Sequence, residues 1–136
     1  MVDVRAPTFD LVVVGAGPAG AATAMAALTT DPTARVALAD RATFPRDKVC
    51  GDGLTPAAVA TLRELGVDHV LDGFAPVGQV EVTGPAGGRL RAEVSEPAYV
   101  VPRRVLDARL VNAAASRGVE LMTIRVTDLA PPVTAS

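Results

Sequence analysis

A glycine-rich segment between an apolar run and an alanine-rich stretch constrains the fold of this 136-residue chain more than any other feature. The apolar run, FDLVVV at 9–14, is typical of a fully buried parallel strand, and it stops at the segment GAGPAG at 15–20. Pro18 then stands in the first turn of a helix predicted to reach about Thr30, where a proline loses no hydrogen bond. A second buried strand, RVALA at 35–39, completes a β-α-β unit of the usual length of about 30 residues.

The glycine segment has the spacing Gly-x-Gly-x-x-Gly, formed by Gly15, Gly17 and Gly20. In such segments the first glycine permits a tight turn, the second lets the backbone approach a pyrophosphate, and the third lets helix and strand pack closely. Asp40 ends the second strand 20 residues after Gly20, where a carboxylate is placed to accept a hydrogen bond from a ribose hydroxyl. The helix N-terminus offers N–H groups and the positive end of its dipole to phosphates. The pattern predicts a dinucleotide site, and the alternative is a plain β-α-β turn without a ligand.

A polar segment and a second helix follow the β-α-β unit. Residues 41–54 have no apolar period and are predicted to form a loop. Thr55 and Pro56 are a typical N-cap and first-turn proline, and Gly66 is predicted to end the helix. The apolar side chains predicted to share one face of this helix are Ala58, Val59, Leu62 and Leu65.

The second half of the chain predicts a hairpin, a helix and a strand. Period-two alternation on both sides of the glycine-rich turn at 84–88 predicts a β-hairpin over 78–94. Pro102 is predicted to open a helix that ends at Gly118, and residues 119–126 predict a third parallel strand. The side chains of this helix predicted to face inward are Leu106, Leu110 and Ala114. The expected class is α/β: a Rossmann-like unit with parallel strands, plus a β-hairpin and two further helices.

Composition excludes several classes of protein. Thirteen Lys and Arg against fifteen Asp and Glu give a net charge of −2, too even for a nucleic-acid-binding surface. The single cysteine, Cys50, excludes an intramolecular disulfide and a multi-cysteine metal site, so no metal is expected, and it fits a reducing compartment. The uncharged run at 11–30 contains glycines, a proline and weakly inserting Ala and Thr, and an acidic stretch precedes it. A membrane span and a signal peptide are therefore rejected, and a cytoplasmic location is expected.

Two further segments are dense in charged and turn-forming residues. FPRDKVCGDGLTP at 44–56 holds four charges and the cysteine within thirteen positions, which is typical of functional loops, and a plain surface loop is the alternative. Arg103 and Arg104 lie in the first turn of a predicted helix, where cations oppose the helix dipole by about 0.3–1 kcal/mol each. A nearby anion would offset this cost. A cofactor phosphate or ribose is one candidate, and Asp107 or solvent is the other.

These segments together resemble the N-terminal part of the geranylgeranyl reductase family, which are flavoproteins of the larger para-hydroxybenzoate hydroxylase-like group. The similar strings are VVVGAGPAGAA, DRATFPRDKVCGDGLTPAAV and YVVPRRVLDARLVNAA, over roughly residues 9–128. Actinobacterial members that reduce an isoprenoid side chain of menaquinone look most similar. The glycine motif serves both NAD and FAD, and Arg41 after Asp40 does not indicate NADP, because Asp40 would repel a 2′-phosphate.

The resemblance implies noncovalently bound FAD, with its ADP half on the glycine segment and Asp40. It places Arg103 against the FAD, Arg41 on the adenosine side, and residues 48–52 near the isoalloxazine and the substrate cavity. It makes Cys50 a candidate catalytic proton donor or a cavity-lining group, with a buried inert cysteine as the alternative. The cofactor-binding residues that it implies are Gly15, Gly17, Pro18, Ala19, Gly20, Asp40, Arg41, Cys50, Gly51, Asp52 and Arg103.

The activity implied by the resemblance is reduction of a C=C bond in a menaquinone or geranylgeranyl-lipid chain, by hydride transfer from reduced flavin. The electron donor would be NAD(P)H or another reductant. Family members are much longer, with a second glycine-aspartate motif and a β-sheet substrate domain that this chain lacks. We therefore expect a partial FAD-binding domain over 1–128, an unstructured tail over 129–136, no substrate domain, membrane contact only through missing parts, and no activity of the chain alone. The alternatives are a fragment of an FAD-dependent aromatic monooxygenase or halogenase, or a non-catalytic truncated remnant.

Overall fold

A computed structural model describes residues 8–129, which form an α/β arrangement. The elements are β1 (Leu11–Val14), α1 (Pro18–Thr30), β2 (Val36–Asp40), β3 (Gly53–Leu54), α2 (Pro56–Glu64), a 3₁₀ helix (Asp68–Leu71), β4 (Pro76–Thr83), β5 (Arg89–Val100), α3 (Arg103–Ser116) and β6 (Glu120–Thr123). They divide into two compact units. The first unit comprises the chain up to Phe44 together with the chain from Val111 onward, and the second unit is Pro45–Leu110.

The first unit contains a three-stranded parallel sheet in the order β1-β2-β6. The central strand β2 is paired on both edges, so that Leu38 lies opposite Val13 of β1 and opposite Leu121 of β6. Residues 36–39 of β2 are buried, α1 packs on this strand, and the buried side chains of α1 are Ala21, Ala24 and Met25. The β-α-β unit and the third parallel strand predicted from the sequence are thus present, although β6 is shorter than the predicted 119–126.

The first strand lies at the edge of this sheet, so the prediction that it is fully buried is wrong. Leu11, Val12 and Val14 are 37%, 47% and 60% exposed. A parallel strand is buried only when neighbouring strands pair with both of its edges and other elements cover both faces. Within residues 8–129, β1 pairs with β2 alone, and the apolar run therefore keeps much of its surface in solvent.

The second unit contains an antiparallel sheet in the order β3-β5-β4. β4 and β5 form the predicted hairpin, which is longer than 78–94 because pairing continues to Pro76 opposite Tyr99. The prediction of a loop throughout 41–54 is wrong at its end, since Gly53 and Leu54 pair with Val100 and Tyr99 as the short strand β3. This pairing fastens the end of the polar loop to the hairpin, and two residues are too few for any sequence period to reveal.

Part of the core of the second unit is formed by α2, the 3₁₀ helix and the residues between them. Thr55 caps α2 as predicted, because its hydroxyl oxygen accepts a hydrogen bond from the N–H of Ala58 at 3.3 Å. Arg109 of α3 donates to the carbonyl oxygens of Val70 and Asp72, at 2.8 Å in each case. The buried apolar side chains of this region are Val59, Leu62, Val67, Val70 and Leu71.

The third helix begins one residue after Pro102 and ends before Gly118, as the sequence predicts. Its predicted inward-facing side chains, Leu106, Leu110 and Ala114, are all buried. None of the helices within residues 8–129 combines the length and the apolar character that a membrane crossing requires.

Candidate functional site

The glycine segment makes a tight turn from the end of β1 into α1. Gly15 has a φ of 102°, a left-handed value that strains any residue with a β-carbon, and its N–H donates to the carbonyl oxygen of Ala39 at 2.7 Å. A β-carbon on Gly20 would lie 1.8 Å from the carbonyl oxygen of Gly15. The first glycine therefore makes the turn, and the third permits the backbone of α1 to pass directly over it.

The start of α1 carries no negative charge of its own. The helix begins at Pro18, with Gly17 as an N-cap in extended conformation, and glycine has no side chain with which to cap the first turn. That turn contains no acidic residue, and Ala19 within it is exposed. The first N–H groups of a helix have no intrahelical partner, and the helix dipole places partial positive charge beside them. This helix end is thus suited to an external anion.

Asp40 joins the end of β2 to the glycine turn. One of its carboxylate oxygens accepts a hydrogen bond from the N–H of Ala16 at 2.8 Å, and the other accepts from the N–H of Ala42 at 2.9 Å. A carboxylate oxygen can accept more than one hydrogen bond, and the hydroxyl groups of a ribose are suitable donors. The sequence predicted only that Asp40 accepts from a ribose hydroxyl. The structure adds that Asp40 fixes the glycine turn.

Three of the predicted residues of the first unit line one crevice of about 300 Å³, whereas Gly17, Pro18, Ala19 and Gly20 are not among its lining residues. Gly15, Asp40 and Arg41 form one part of its wall. Ile124, Arg125 and Val126, which follow the end of β6, form another part. Arg125 escaped sequence reasoning because residues 119–126 were assigned to a strand, whereas β6 ends at Thr123 and the following chain runs along the crevice.

In the second unit the structure brings together Cys50, Asp52 and Arg103. Asp52 has a φ of 57°, and it is the one non-glycine residue with positive φ among residues 8–129. Its carboxylate oxygen Oδ1 accepts from the backbone N–H of Arg103 at 3.2 Å, and its carbonyl oxygen accepts from the N–H of Val101 at 2.9 Å. The loop residue Asp52 therefore caps the start of α3.

The Cys50 side chain is exposed, so the alternative of a buried inert cysteine is wrong. The backbone N–H of Asp52 and then the Arg103 guanidinium hydrogen-bond to the sulfur, and they lower the pKa of the Cys50 thiol. Gly51, which lies between Cys50 and Asp52, is exposed, and a β-carbon there would meet no atom within 4 Å. Packing therefore does not require glycine at position 51.

The Arg103 guanidinium is paired with a carboxylate of its own helix. Its Nε donates to Oδ1 of Asp107 at 2.7 Å, and a terminal nitrogen donates to Oδ2 at 3.0 Å. Arg46 of the polar loop reaches the same Oδ2 at 3.1 Å. The bidentate bond to Asp107 raises the pKa of the Arg103 guanidinium. Of the partners weighed for the cations at this helix start, Asp107 is the one that the structure gives to Arg103.

Known proteins similar to this chain identify its family. The chain is 43% identical over 126 residues to the menaquinone reductase of Mycobacterium tuberculosis, an alignment that covers 83% of the chain and 28% of that protein. It is 36% identical over 115 residues to digeranylgeranylglycerophospholipid reductase 1 of Methanopyrus kandleri, covering 83% and 29%. The chain belongs to the geranylgeranyl reductase family of flavoproteins. It spans less than a third of the length of these relatives, and no family model matches it.

A solved flavoprotein supports the same assignment at the level of the fold. The structure of the flavin-dependent brominase Bmp2 superposes with a TM-score of 0.80 at 28% identity, covering 91% of this chain and 31% of that one. The predicted resemblance and the predicted Rossmann-like α/β class are both confirmed.

Proposed function

We propose that this chain is the FAD-binding portion of an FAD-dependent reductase that saturates C=C bonds of an isoprenoid chain. The observation that carries the proposal is the crevice of the first unit, lined by Gly15 and Asp40, together with the start of α1, which follows the same glycine turn and has no acidic residue. The names of the relatives, menaquinone reductase and digeranylgeranylglycerophospholipid reductase, supply the substrate class.

The ADP half of FAD is assigned to this crevice and to the neighbouring start of α1. Residues 17–19 are Gly, Pro and Ala, so the start of α1 carries no long side chain in front of a ligand. The first N–H groups of α1 would hold the phosphates, and Asp40 would accept from a ribose hydroxyl. Arg41 and Arg125 contribute positive charge to the same crevice.

Cys50, Gly51, Asp52 and Arg103 are proposed as flavin-side residues on the strength of the family resemblance. When bound, reduced FAD supplies the hydride for the alkene, and the protein orients the substrate and excludes water. A proton must also reach the second alkene carbon, and Cys50 is the proposed donor. Its lowered pKa makes the thiol a stronger acid but reduces the protonated fraction at neutral pH, so proton donation by Cys50 would favour the acidic side of the rate profile.

The whole reaction is proposed for a longer protein, because this chain corresponds to 28% of its menaquinone reductase relative. That protein would take a menaquinone or another isoprenoid lipid as substrate and NAD(P)H or another reductant as electron donor. The halogenase or monooxygenase alternative is favoured by the fold of the brominase neighbour. The reductase relatives are more similar in sequence, at 43% and 36% identity, and they decide the proposal.

Binding by the 136-residue chain tests the cofactor assignment. We expect FAD and ADP to bind in a calorimetric titration and FMN, which lacks the ADP half, to bind far more weakly. Equal affinity for FMN and FAD would contradict an ADP site in the first unit. A folded chain that binds none of the three would favour the non-catalytic remnant.

A chimera tests the reaction. In it, this chain replaces the matching segment of the Mycobacterium tuberculosis menaquinone reductase. We expect the chimera to retain FAD and to remove one double bond from the menaquinone side chain, measured by mass spectrometry. A chimera that retains FAD and instead adds oxygen or halide to an aromatic ring would support the alternative.

A further inference from the structure

Asp107 has a setting unlike that of any other acidic residue among residues 8–129. Its carboxylate is fully buried, and no other charged or polar side chain in that range is. Two guanidinium groups converge on it, from Arg103 one helical turn earlier and from Arg46 in the polar loop. Both arginine side chains are themselves largely covered, at 14% and 18% exposure.

The bonds to Asp107 restrict both arginines. A bidentate carboxylate–guanidinium pair fixes the plane of the guanidinium as well as its position. The pair with Arg103 therefore determines where the remaining face of that guanidinium points. Asp52 accepts from the backbone N–H of the same arginine, which brings the loop segment that carries Cys50 to the start of α3. The third bond, to Arg46, ties the beginning of the polar loop to α3, while the bonds of Asp52 tie its end to the same helix start.

Removal of the Asp107 charge would leave two buried cations side by side. Like charges at short range in a medium of low dielectric constant repel strongly, and a buried charge that loses its partner is costly. At least one guanidinium would then rotate toward solvent, and the loop would lose one of its attachments to α3.

We propose that Asp107 is a positioning residue: it holds Arg103 and Arg46 in place, so that the Arg103 guanidinium faces the Cys50 sulfur. The relevance of this arrangement to the reaction rests on the proposed function, because the family resemblance is what places Cys50 beside the flavin. The arrangement itself involves only the second unit and needs no bound cofactor.

Alkylation of Cys50 by iodoacetamide tests the proposal on the full chain, where Cys50 is the single cysteine. The readout is the midpoint of the pH–rate profile, since only the thiolate reacts. The charged groups that act on the pKa of the Cys50 thiol are Arg103, which lowers it, and Asp52, which raises it. In Asp107→Asn we expect Arg103 to leave the sulfur, the midpoint to rise, and the thiolate fraction at pH 7 to fall by about threefold or more.

A long-range charge effect of Asp107 predicts the opposite sign. Loss of a negative charge beside Arg103 would make the potential at the sulfur more positive, and the midpoint would fall. A lower midpoint, or an unchanged one in a folded variant, would therefore overturn the proposal. Asp107→Glu keeps the charge and moves it by one methylene, so it covers the case in which Asp107→Asn fails to fold. Positioning predicts a raised midpoint for Asp107→Glu, and a wild-type profile there would refute it.

Arg46→Ala tests the bond of Asp107 to Arg46 separately from its bond to Arg103. It leaves the Asp107–Arg103 pair intact, so we expect an unchanged midpoint but faster amide hydrogen exchange over residues 47–52. Unchanged exchange would remove Arg46 from the proposal. Glu81→Gln, which breaks an exposed ion pair with Arg91 on the hairpin, is the control expected to change neither measurement. None of these measurements uses flavin, so failure of FAD binding and failure of the positioning role are distinguishable.

Discussion

Gly20→Ala tests the close approach between α1 and the glycine turn. On helix propensity alone this substitution should stabilise the chain by about 1 kcal/mol, because alanine is a better helix residue than glycine. The structure predicts the opposite sign. The new β-carbon would lie 1.8 Å from the carbonyl oxygen of Gly15 and 3.0 Å from its carbonyl carbon, whereas an ordinary contact needs at least 3.4 Å. Both atoms belong to the backbone, so no side-chain rotation relieves the clash.

The cost follows from what must move. Separating the two segments strains the core by about 1–3 kcal/mol, the usual range for overpacking. It also weakens or breaks two hydrogen bonds of the turn, each contributing about 0.5–1.5 kcal/mol. In one the Gly15 N–H donates to the carbonyl oxygen of Ala39, and in the other the Ala16 N–H donates to the carboxylate of Asp40. If both hydrogen bonds are lost, subtraction of the propensity gain of about 1 kcal/mol leaves an expected net destabilisation of about 1–5 kcal/mol.

Urea unfolding followed by far-ultraviolet circular dichroism measures this change, with Gly88→Ala as the matched control. A β-carbon on Gly88 meets no atom within 4 Å, so that variant should range from unchanged to about 1 kcal/mol more stable. A Gly20→Ala chain as stable as wild type would show that the turn yields freely, and the close-packing argument would be wrong. A destabilised but folded variant that bound FAD with wild-type affinity would separate the turn from the proposed cofactor site.

Three further predictions concern single side chains. Asp40→Asn should lower stability by about 1–2 kcal/mol, because the amide cannot accept from both Ala16 and Ala42 and leaves one N–H unpaired, and it should weaken FAD binding in the same titration. Thr55→Ala should lower the free energy of unfolding by about 1 kcal/mol through loss of the α2 cap, whereas Thr61→Ala, on the exposed face of that helix, should change it by less than about 0.5 kcal/mol. The alkylation midpoint of Cys50 should be lower in the folded chain than in urea, since its folded-state contacts lower the thiol pKa; a midpoint that does not move on unfolding would contradict those contacts.

The parts of the fold that sequence predicted are those set by neighbours along the chain. The turn at Gly15, the helix start at Pro18 and the Thr55 cap depend on a few adjacent residues, and all three are in place. The burial of β1 depends on which strands flank it, and no local pattern contains that information. The two-residue strand β3 was missed for a related reason, because only its partner in the hairpin defines it.

The candidate site shows the same division. The β-α-β unit brought Gly15 and Asp40 into one proposed site, the family resemblance added Arg41, and the structure places all three around one crevice. The sequence did not predict that Arg125 lies at the crevice, since its position there depends on where β6 ends. The sequence did not predict the ion pair of Arg46 with Asp107 either, because the loop reaches α3 only in the folded second unit.

The two helix starts lead to opposite conclusions about an external anion. At α3, the cations in the first turn indicated an anion nearby, and the protein supplies two: Asp107 pairs with the Arg103 guanidinium, and Asp52 accepts from its backbone N–H. The unfavourable dipole at α3 is thereby offset, so the energetic mismatch does not by itself require a cofactor phosphate. At α1, the N-cap is a glycine and the first turn contains no acid. The physical case for a phosphate ligand therefore rests on the start of α1 and on the adjoining glycine turn, which the Gly20 variant tests, while Arg103 is assigned to the cofactor by resemblance alone.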